Sequence, residues 1–434
     1  MTPIVFDSSK FVDFIGQSGP SGIARIELAL AKRLVQVPPL FGGAVDCSLG
    51  FQTRLSHAVL ARRVEALEQC WHEDDRSGST AAIESWLSGA TSHLRRITMD
   101  GKPRFDRLKR LAALARAWPR HQLAQDIPRY STYINASYAN TDTPARLRWL
   151  KSRPDLFSVF FVYDVLPLEY PEFFWNGIET SFPKRLDAIF RHADLVVVNS
   201  RDVAEKVSRI AQTGGFSQLA IRTIHLPPPD DFLHSDEQGI TGAGPYFVLC
   251  STIEPRKNHA LLLNLWRKMA GEMSQPPKLL VVGPRGWKNE GIVDLLERSP
   301  ALKGHVLEVS NISTAALKRV LRGARALLMP SFGEGFGLPI VEALSVGTPV
   351  IASDIPVFRE ISQGCASLID PLDAPAWEAA ILRLAQDEAA CAKARDQARA
   401  FAPMTIDGFF TALFSAIEET RPSPRSDLRG DHAY

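Results

Sequence analysis

Pro330-Ser331-Phe332-Gly333-Glu334-Gly335-Phe336-Gly337-Leu338-Pro339-Ile340-Val341-Glu342-Ala343-Leu344 is the stretch on which the reading of this chain turns. The apolar run Ala326–Met329 before it predicts a strand. Leu338–Ser345 predicts a helix, with Pro339 near its first turn, where a missing N–H is tolerated. The three glycines between them let backbone N–H groups approach an anion closely. The helix N-terminus adds partial positive charge, so a phosphate is the expected guest. Glu334 falls in the loop and Glu342 about one turn into the helix, so both carboxylates are expected to face one crevice at the C-terminal edge of a parallel sheet. A carboxylate beside a phosphate site accepts hydrogen bonds from sugar or ribose hydroxyls. A glycine-rich loop alone often serves only a tight turn. Two glutamates flanking it, with a strand before and a helix behind, set this one apart.

Outward from the loop, short apolar runs alternate with helical patterns, the signature of parallel α/β structure. Tyr246–Cys250, Leu279–Val282, Val306–Val309, Pro349–Ala352 and Ser367–Ile369 read as strands. Ala260–Met269, Ala315–Leu321 and the Ala-rich region Ala374–Arg399 read as helices. The first half is less regular. Ile4–Phe6, Val159–Val162 and Leu195–Val198 read as strands, and Ile23–Val35, Pro183–Arg191 and Val203–Ile210 as helices. Leu55–His121 reads as helices without strands and is expected to be an insertion. The proline run Pro227-Pro228-Pro229 and the glycines near Gly239–Gly244 bracket the expected domain boundary. The expected organisation is thus a first Rossmann-like domain over 1–235 with the insertion at about 55–121, a second over 236–401, a helix over 402–420 returning to the first, and a flexible tail over 421–434.

At 434 residues, two domains are the natural expectation. Apolar content of 45% and a net charge of +2 fit a globular chain and name no charged partner, so nucleic acid is not expected. The five cysteines, Cys47, Cys70, Cys250, Cys365 and Cys391, have neither zinc-ligand nor disulfide-framework spacing and suggest a reducing, cytoplasmic setting. The acidic, interrupted N-terminus does not read as a signal peptide. The chain lacks the roughly 18 uninterrupted apolar residues of a spanning helix, so any membrane contact is expected to be peripheral, on the inner face of the cytoplasmic membrane.

Glu334 and Glu342 match the E-x7-E signature of retaining GT-B glycosyltransferases, and the chain resembles glycosyltransferase family 4, strongly over Tyr246–Ser362 and more weakly over most of its length. The resemblance implies a GT-B fold, with two Rossmann-like domains facing across a cleft. Thr252-Ile253-Glu254-Pro255-Arg256-Lys257-Asn258-His259 is similar to the family's donor-phosphate segment. Lys257 stands at the lysine that contacts the diphosphate; where many members carry an arginine this chain has Thr252, with Arg256 as the second charge. By the same resemblance Glu334 contacts the donor sugar, Glu342 the ribose, and Gly335, Phe336, Gly337 and Leu338 hold sugar and diphosphate. Ser310, Asn311 and Ile312 correspond to the nucleobase segment, and Gly283 opens a turn beside the donor pocket. In the first half, Ser18–Arg25 resembles the family's acceptor-domain glycine loop, which places Gly22 against the donor phosphate. Tyr163-Asp164 resembles a His-Asp pair with Tyr163 in the histidine slot; Asp164 is a candidate contact for acceptor or donor sugar, or simply a cap. Tyr138 also stands where some relatives carry histidine, near Asn135. Asn199 and Ser200 match a strand-end position that is as well explained by structure.

The resemblance implies a retaining transfer from a nucleotide sugar, GDP-mannose first, to a saccharide or lipid-linked saccharide acceptor in bacterial polysaccharide assembly. No Asp-x-Asp motif is present, so no metal or other cofactor is expected. A catalytically silent sugar-nucleotide-binding scaffold, or a GT-B epimerase or phosphorylase, remains the alternative reading. Between Leu94 and Arg120, nine basic residues interleave with apolar ones. From Phe105 to Trp118 the apolar residues recur at helical steps. This segment is read either as a surface helix or as one lying on anionic lipid.

Overall fold

A computed structural model describes residues 2–14, 22–46, 53–72, 79–98, 127–233, 238–242 and 244–421. Two seven-stranded sheets organise them. The strands of the first are β1 (Ile4–Asp7), β2 (Phe41–Asp46), β3 (Thr53–Leu55), β5 (Thr132–Asn135), β6 (Phe157–Val162), β7 (Leu195–Val198) and β8 (Ala220–Thr223). Those of the second are β4 (Arg96–Thr98), β9 (Tyr246–Cys250), β10 (Lys278–Val282), β11 (Val306–Ser310), β12 (Ala326–Met329), β13 (Val350–Ser353) and β14 (Ser367–Ile369). The orders are β3-β2-β1-β5-β6-β7-β8 and β14-β13-β12-β9-β10-β11-β4. Every pairing is parallel except β2 with β3. In each sheet the chain winds first to one side of the opening strand and then to the other. The order therefore reverses beside β1 in the first sheet and beside β9 in the second, the arrangement of a Rossmann-type fold.

Parallel strands are covered on both faces and read as unbroken apolar runs. Leu279–Val282, Ala326–Met329 and Leu195–Val198 are such runs, and all are buried. The helix Gly22–Gln36 buries Ala24, Ile26, Leu30, Ala31 and Leu34 against the first sheet. The helix Ile406–Thr420 packs there too, with Phe409 against Phe161 and Arg33 lying over Phe410. A buried ion pair, Arg63 to Asp46 at 2.6 Å, ties the helix His57–His72 to the end of β2. Among the described residues no helix is long and apolar enough to cross a membrane.

Three expectations change. The stretch expected to hold helices without strands carries β4, which crosses to the second sheet and pairs with β11. Without it the backbone groups of β11 would form an open edge. Side chains reinforce the choice, because Arg96 reaches the buried Glu308 of β11 at 3.2 Å and Arg95 donates to the carbonyls of Leu296 and Ser299. Two of the nine basic residues counted between 94 and 120 are thus engaged on the second domain, and residues 99–126 lie outside those described. The region Ala374–Arg399 is two helices, Ala374–Gln386 and Glu388–Arg399, because Asp387 caps the second through the Ala390 amide. Of the expected tail, only Arg421 is among the described residues; it donates to Tyr130 and Thr132 of the first domain.

Candidate functional site

The order reversal in the second sheet places the loops after β9 and β12 side by side, and they carry the two motifs singled out in the sequence. The amide of Phe332 donates to the carbonyl of Arg256 at 2.9 Å, joining the loops directly. Glu334 is the centre of what they build. Its Oε1 accepts from Lys257 Nζ at 2.5 Å and Ser331 Oγ at 2.8 Å, and its Oε2 from Arg256 Nη1 at 3.0 Å. Arg256 is held in turn by Glu254, at 2.5 Å, and by the carbonyl of Gly333. All four charged side chains are nearly buried. Burial works against the Glu334 charge, yet Lys257 and Arg256 outweigh it and hold its carboxyl at about 2. Burial likewise pushes the Lys257 ammonium below its usual range, against the pull of Glu334.

The first domain meets this cluster with the turn after β6. Asp164 is half-buried and within electrostatic reach of Arg256, Glu334 and Lys257; burial raises its carboxyl against the attraction of Arg256. Its Oδ1 also accepts from the Leu166 amide two residues on, at 3.2 Å, so a local turn bond and the position facing the cluster coexist, while the N-cap of the helix that follows is Val165. Gly335 passes so close to this turn that a Cβ would lie 2.2 Å from the Tyr163 carbonyl oxygen. Gly333 faces Tyr170, where a Cβ would lie 2.8 Å from the ring. These two positions demand glycine because the other domain occupies the space. Gly337 has a different reason, a φ of 110° at the start of the helix Leu338–Ser345.

Further contacts close the two domains around the site. Ser200 Oγ donates to the Gly335 carbonyl at 3.1 Å while capping its own helix at the Val203 amide. Trp287 Nε1 donates to the Phe173 carbonyl, and Phe173 stacks on Phe332 with ring centroids 5.8 Å apart. The Phe336 ring is buried beside His225, which is hydrogen-bonded to Glu360. Glu342 pairs with Arg25, from the first turn of the helix Gly22–Gln36. Gly22 abuts Leu338, where a Cβ would lie 2.8 Å from Cδ1.

Gly283, with a φ of 151°, is a glycine because the Ser251 carbonyl oxygen would lie 2.0 Å from a Cβ; it packs loop on loop. The neighbouring Arg285 is spent on Glu308 and Glu297. Ser310 is buried at the end of β11, with Oγ 3.4 Å from Thr98 Oγ1. Asn311 follows in the left-handed region at φ 62°. Ile312 packs against the main core. Tyr163 does not take a histidine's place in the cleft, since its hydroxyl donates to the Ala136 carbonyl at 2.6 Å inside the first domain. The Tyr138 hydroxyl accepts from the Tyr163 amide, and Asn135 donates to the Ala139 carbonyl, so both serve the fold. Ser331 and Glu254 complete the site without having been singled out for it, and Ser200, read as a strand-end match as well explained by structure, reaches it through the Gly335 carbonyl. The first two lie inside the quoted motifs, where a serine three residues before Glu334 and a glutamate two before Arg256 were the available signals.

Residues 231–401 match the family model described as glycosyl transferases group 1. The chain is similar to the serotype-specific mannosyltransferase WbdA of Escherichia coli, 35% identical over 221 residues that make up 48% of this chain and 27% of that protein. It is also similar to the O-antigen chain mannosyltransferase RfbU of Salmonella typhimurium, 29% identical over 52% of this chain and 60% of the relative. The chain thus spans about a quarter of the length of the first of these relatives and three fifths of the second. Among solved structures, Anabaena HepE in complex with UDP-glucose superposes over 96% of this chain and 99% of its own, with a TM-score of 0.58 at 15% identity, a likeness of fold. Two Rossmann-type sheets closed around the loops of the second are the GT-B arrangement, and the loops that carry the charged cluster fall within the residues that match the glycosyl transferases group 1 model.

Proposed function

We propose that this chain is a retaining glycosyltransferase that moves a sugar, mannose from GDP-mannose as the first candidate, to a saccharide or lipid-linked saccharide acceptor in bacterial polysaccharide assembly. The observation that carries the reading is Glu334, held between Lys257, Arg256 and Ser331 where the strand order reverses and facing Asp164 of the other domain. Without donor, the two cations are neutralised by Glu334 and Glu254. A bound diphosphate competes for the same cations, so its arrival exchanges partners. Lys257 and Arg256 turn to the phosphate oxygens, and the Glu334 carboxylate is released to accept from sugar hydroxyls. As the bond from the anomeric carbon to the diphosphate breaks, charge builds on the leaving phosphate. Lys257, Arg256, the loop amides and the start of the helix Leu338–Ser345 are placed to stabilise it. Glu342 accepts from the ribose, and Asp164 is directed to the sugar or the acceptor.

Leaving-group stabilisation of this kind uses protein cations, so we propose that the reaction needs no metal. The curated mannosyltransferase relatives support the donor class, and the family match supports the reaction class. The test incubates the chain with GDP-, UDP- and dTDP-sugars, with and without saccharide acceptors and with EDTA throughout, and measures nucleoside diphosphate release. Acceptor-dependent release from one donor is expected. Tight donor binding with no release under any condition would identify a silent scaffold instead. Release that required added magnesium or manganese would overturn the metal-free reading. We also propose peripheral contact with anionic membrane through the basic residues between 102 and 120, which suits a lipid-carried acceptor.

A further inference from the structure

Arg25 has no task in the reading above, yet it makes an ion pair between the domains. It stands in the first turn of the helix Gly22–Gln36, and its guanidinium donates to Glu342 Oε1 on the helix Leu338–Ser345 of the other domain. The Glu342 side chain is only 3% exposed and that of Arg25 21%, so neither end is a loose surface charge. The two helix starts touch through Gly22 and Leu338, which puts Arg25, three residues further on, over Glu342, four residues further on. Such a pair is costly to desolvate and is weak evidence for stability by itself. The Nε of Arg25 is buried without a partner, a further cost that packing alone would not favour. Arg25 also lines a cavity of about 470 Å³ between the domains, walled by Lys32, the run Pro227–Asp231 and Ser313–Ala315, the last just beyond the expected nucleobase segment.

We propose that Arg25 is a positioning residue for the ribose of the nucleotide: it fixes the Glu342 carboxylate across the domain interface, so that the ribose site is complete only when the cleft is closed. The proposal rests on the reading of Glu342 as the ribose contact. A carboxylate has two oxygens and about four acceptor positions. Arg25 engages Oε1, which sets the plane of the group and leaves Oε2 to the vicinal hydroxyls. The cation comes from the acceptor-side domain and the carboxylate from the donor-side domain. Ribose recognition thereby reports closure, and a nucleotide bound to an open cleft is held without it.

The test is calorimetric binding of GDP, with UDP as the second probe, and of the matching 2′,3′-dideoxy diphosphates. The proteins are the full chain and its Arg25→Ala, Arg25→Lys, Glu342→Gln and Arg25→Ala/Glu342→Gln variants. Hydrogen bonds to a charged group contribute about 1.5–3 kcal/mol, so Glu342→Gln should weaken the ribonucleotide roughly 10- to 100-fold. Arg25→Ala should weaken it about tenfold, Arg25→Lys less, and both should leave the dideoxynucleotide unchanged. In the Glu342→Gln background, Arg25→Ala should add nothing. The double variant also strands no carboxylate, so it folds even if Arg25→Ala does not, and Arg25→Lys supplies the ribose-specific reading in either case. Equal losses for ribo- and dideoxynucleotide would overturn the proposal, placing Arg25 on phosphate or in a merely structural role. A Glu342→Gln variant with undiminished ribonucleotide affinity would instead overturn the ribose reading beneath it.

Discussion

Replacing Glu334 by Gln removes one charge and keeps the shape of the side chain. The carboxylate accepts from Lys257 at 2.5 Å, Ser331 at 2.8 Å and Arg256 at 3.0 Å, and these partners hold it at about 2 against an ordinary 4.5. At about 1.4 kcal/mol per pH unit, that displacement is worth about 3 kcal/mol. Breaking one partner out of a buried pair costs about 3–5 kcal/mol, so the two figures agree. A depressed carboxyl contributes fully above its unfolded value and loses the contribution as pH falls through the folded one. Glu334→Gln should therefore be less stable than the parent at pH 7, and the gap should close between pH 4.5 and about 2. At about 2–4 °C per kcal/mol for a domain of this size, calorimetry should show a Tm lower by about 6–12 °C at pH 7. The same variant should bind GDP or UDP at least as tightly as the parent, because the diphosphate no longer competes with Glu334 for Lys257 and Arg256, while transfer is lost. A variant as stable as the parent at pH 7 that binds the diphosphate more weakly would refute the partner exchange.

Lys257→Ala should lower transfer about 10²–10³-fold, the usual cost of one preorganised electrostatic partner, with steady-state rates at subsaturating donor as the measurement. Gly335→Ala puts a methyl group where the Tyr163 carbonyl oxygen lies 2.2 Å away, so it should weaken the closed interface; small-angle scattering should show larger dimensions and turnover should fall, while each domain stays folded by circular dichroism. Co-sedimentation with liposomes should rise with anionic lipid, fall with salt, and weaken when Arg107, Lys109 and Arg110 are changed together to Gln; binding indifferent to those changes would leave a surface segment and favour a soluble acceptor.

The second sheet was legible from the sequence because parallel strands buried on both faces must be apolar throughout. Tyr246–Cys250 and Ala326–Met329 were read to the residue, and the loops that follow them carry their chemistry in adjacent positions, so Glu334, Lys257 and Arg256 could be named together. The first sheet was not equally legible. Its β2 is Phe-Gly-Gly-Ala-Val-Asp and its β5 Thr-Tyr-Ile-Asn, mixtures of small and polar residues whose strand state comes from neighbours on both sides. The three-residue β4 is set by a partner more than 200 positions away, and no local pattern contains that information.

The sequence alone determined that a glycine-rich loop flanked by two glutamates follows a buried strand, because strand, turn and helix signals act over a few residues. Tertiary structure decided what those residues face. Gly335 and Gly333 are glycines because the Tyr163–Tyr170 turn of the other domain fills the space beside them. Thr252 lies outside the charged cluster, whereas Glu254 and Ser331 lie inside it. Tyr163 is a core residue, and Arg25 reaches Glu342 from 317 positions away. Each of these is a contact between segments distant along the chain, fixed by how the two sheets meet, and a reading by local propensity and spacing has no access to that distance.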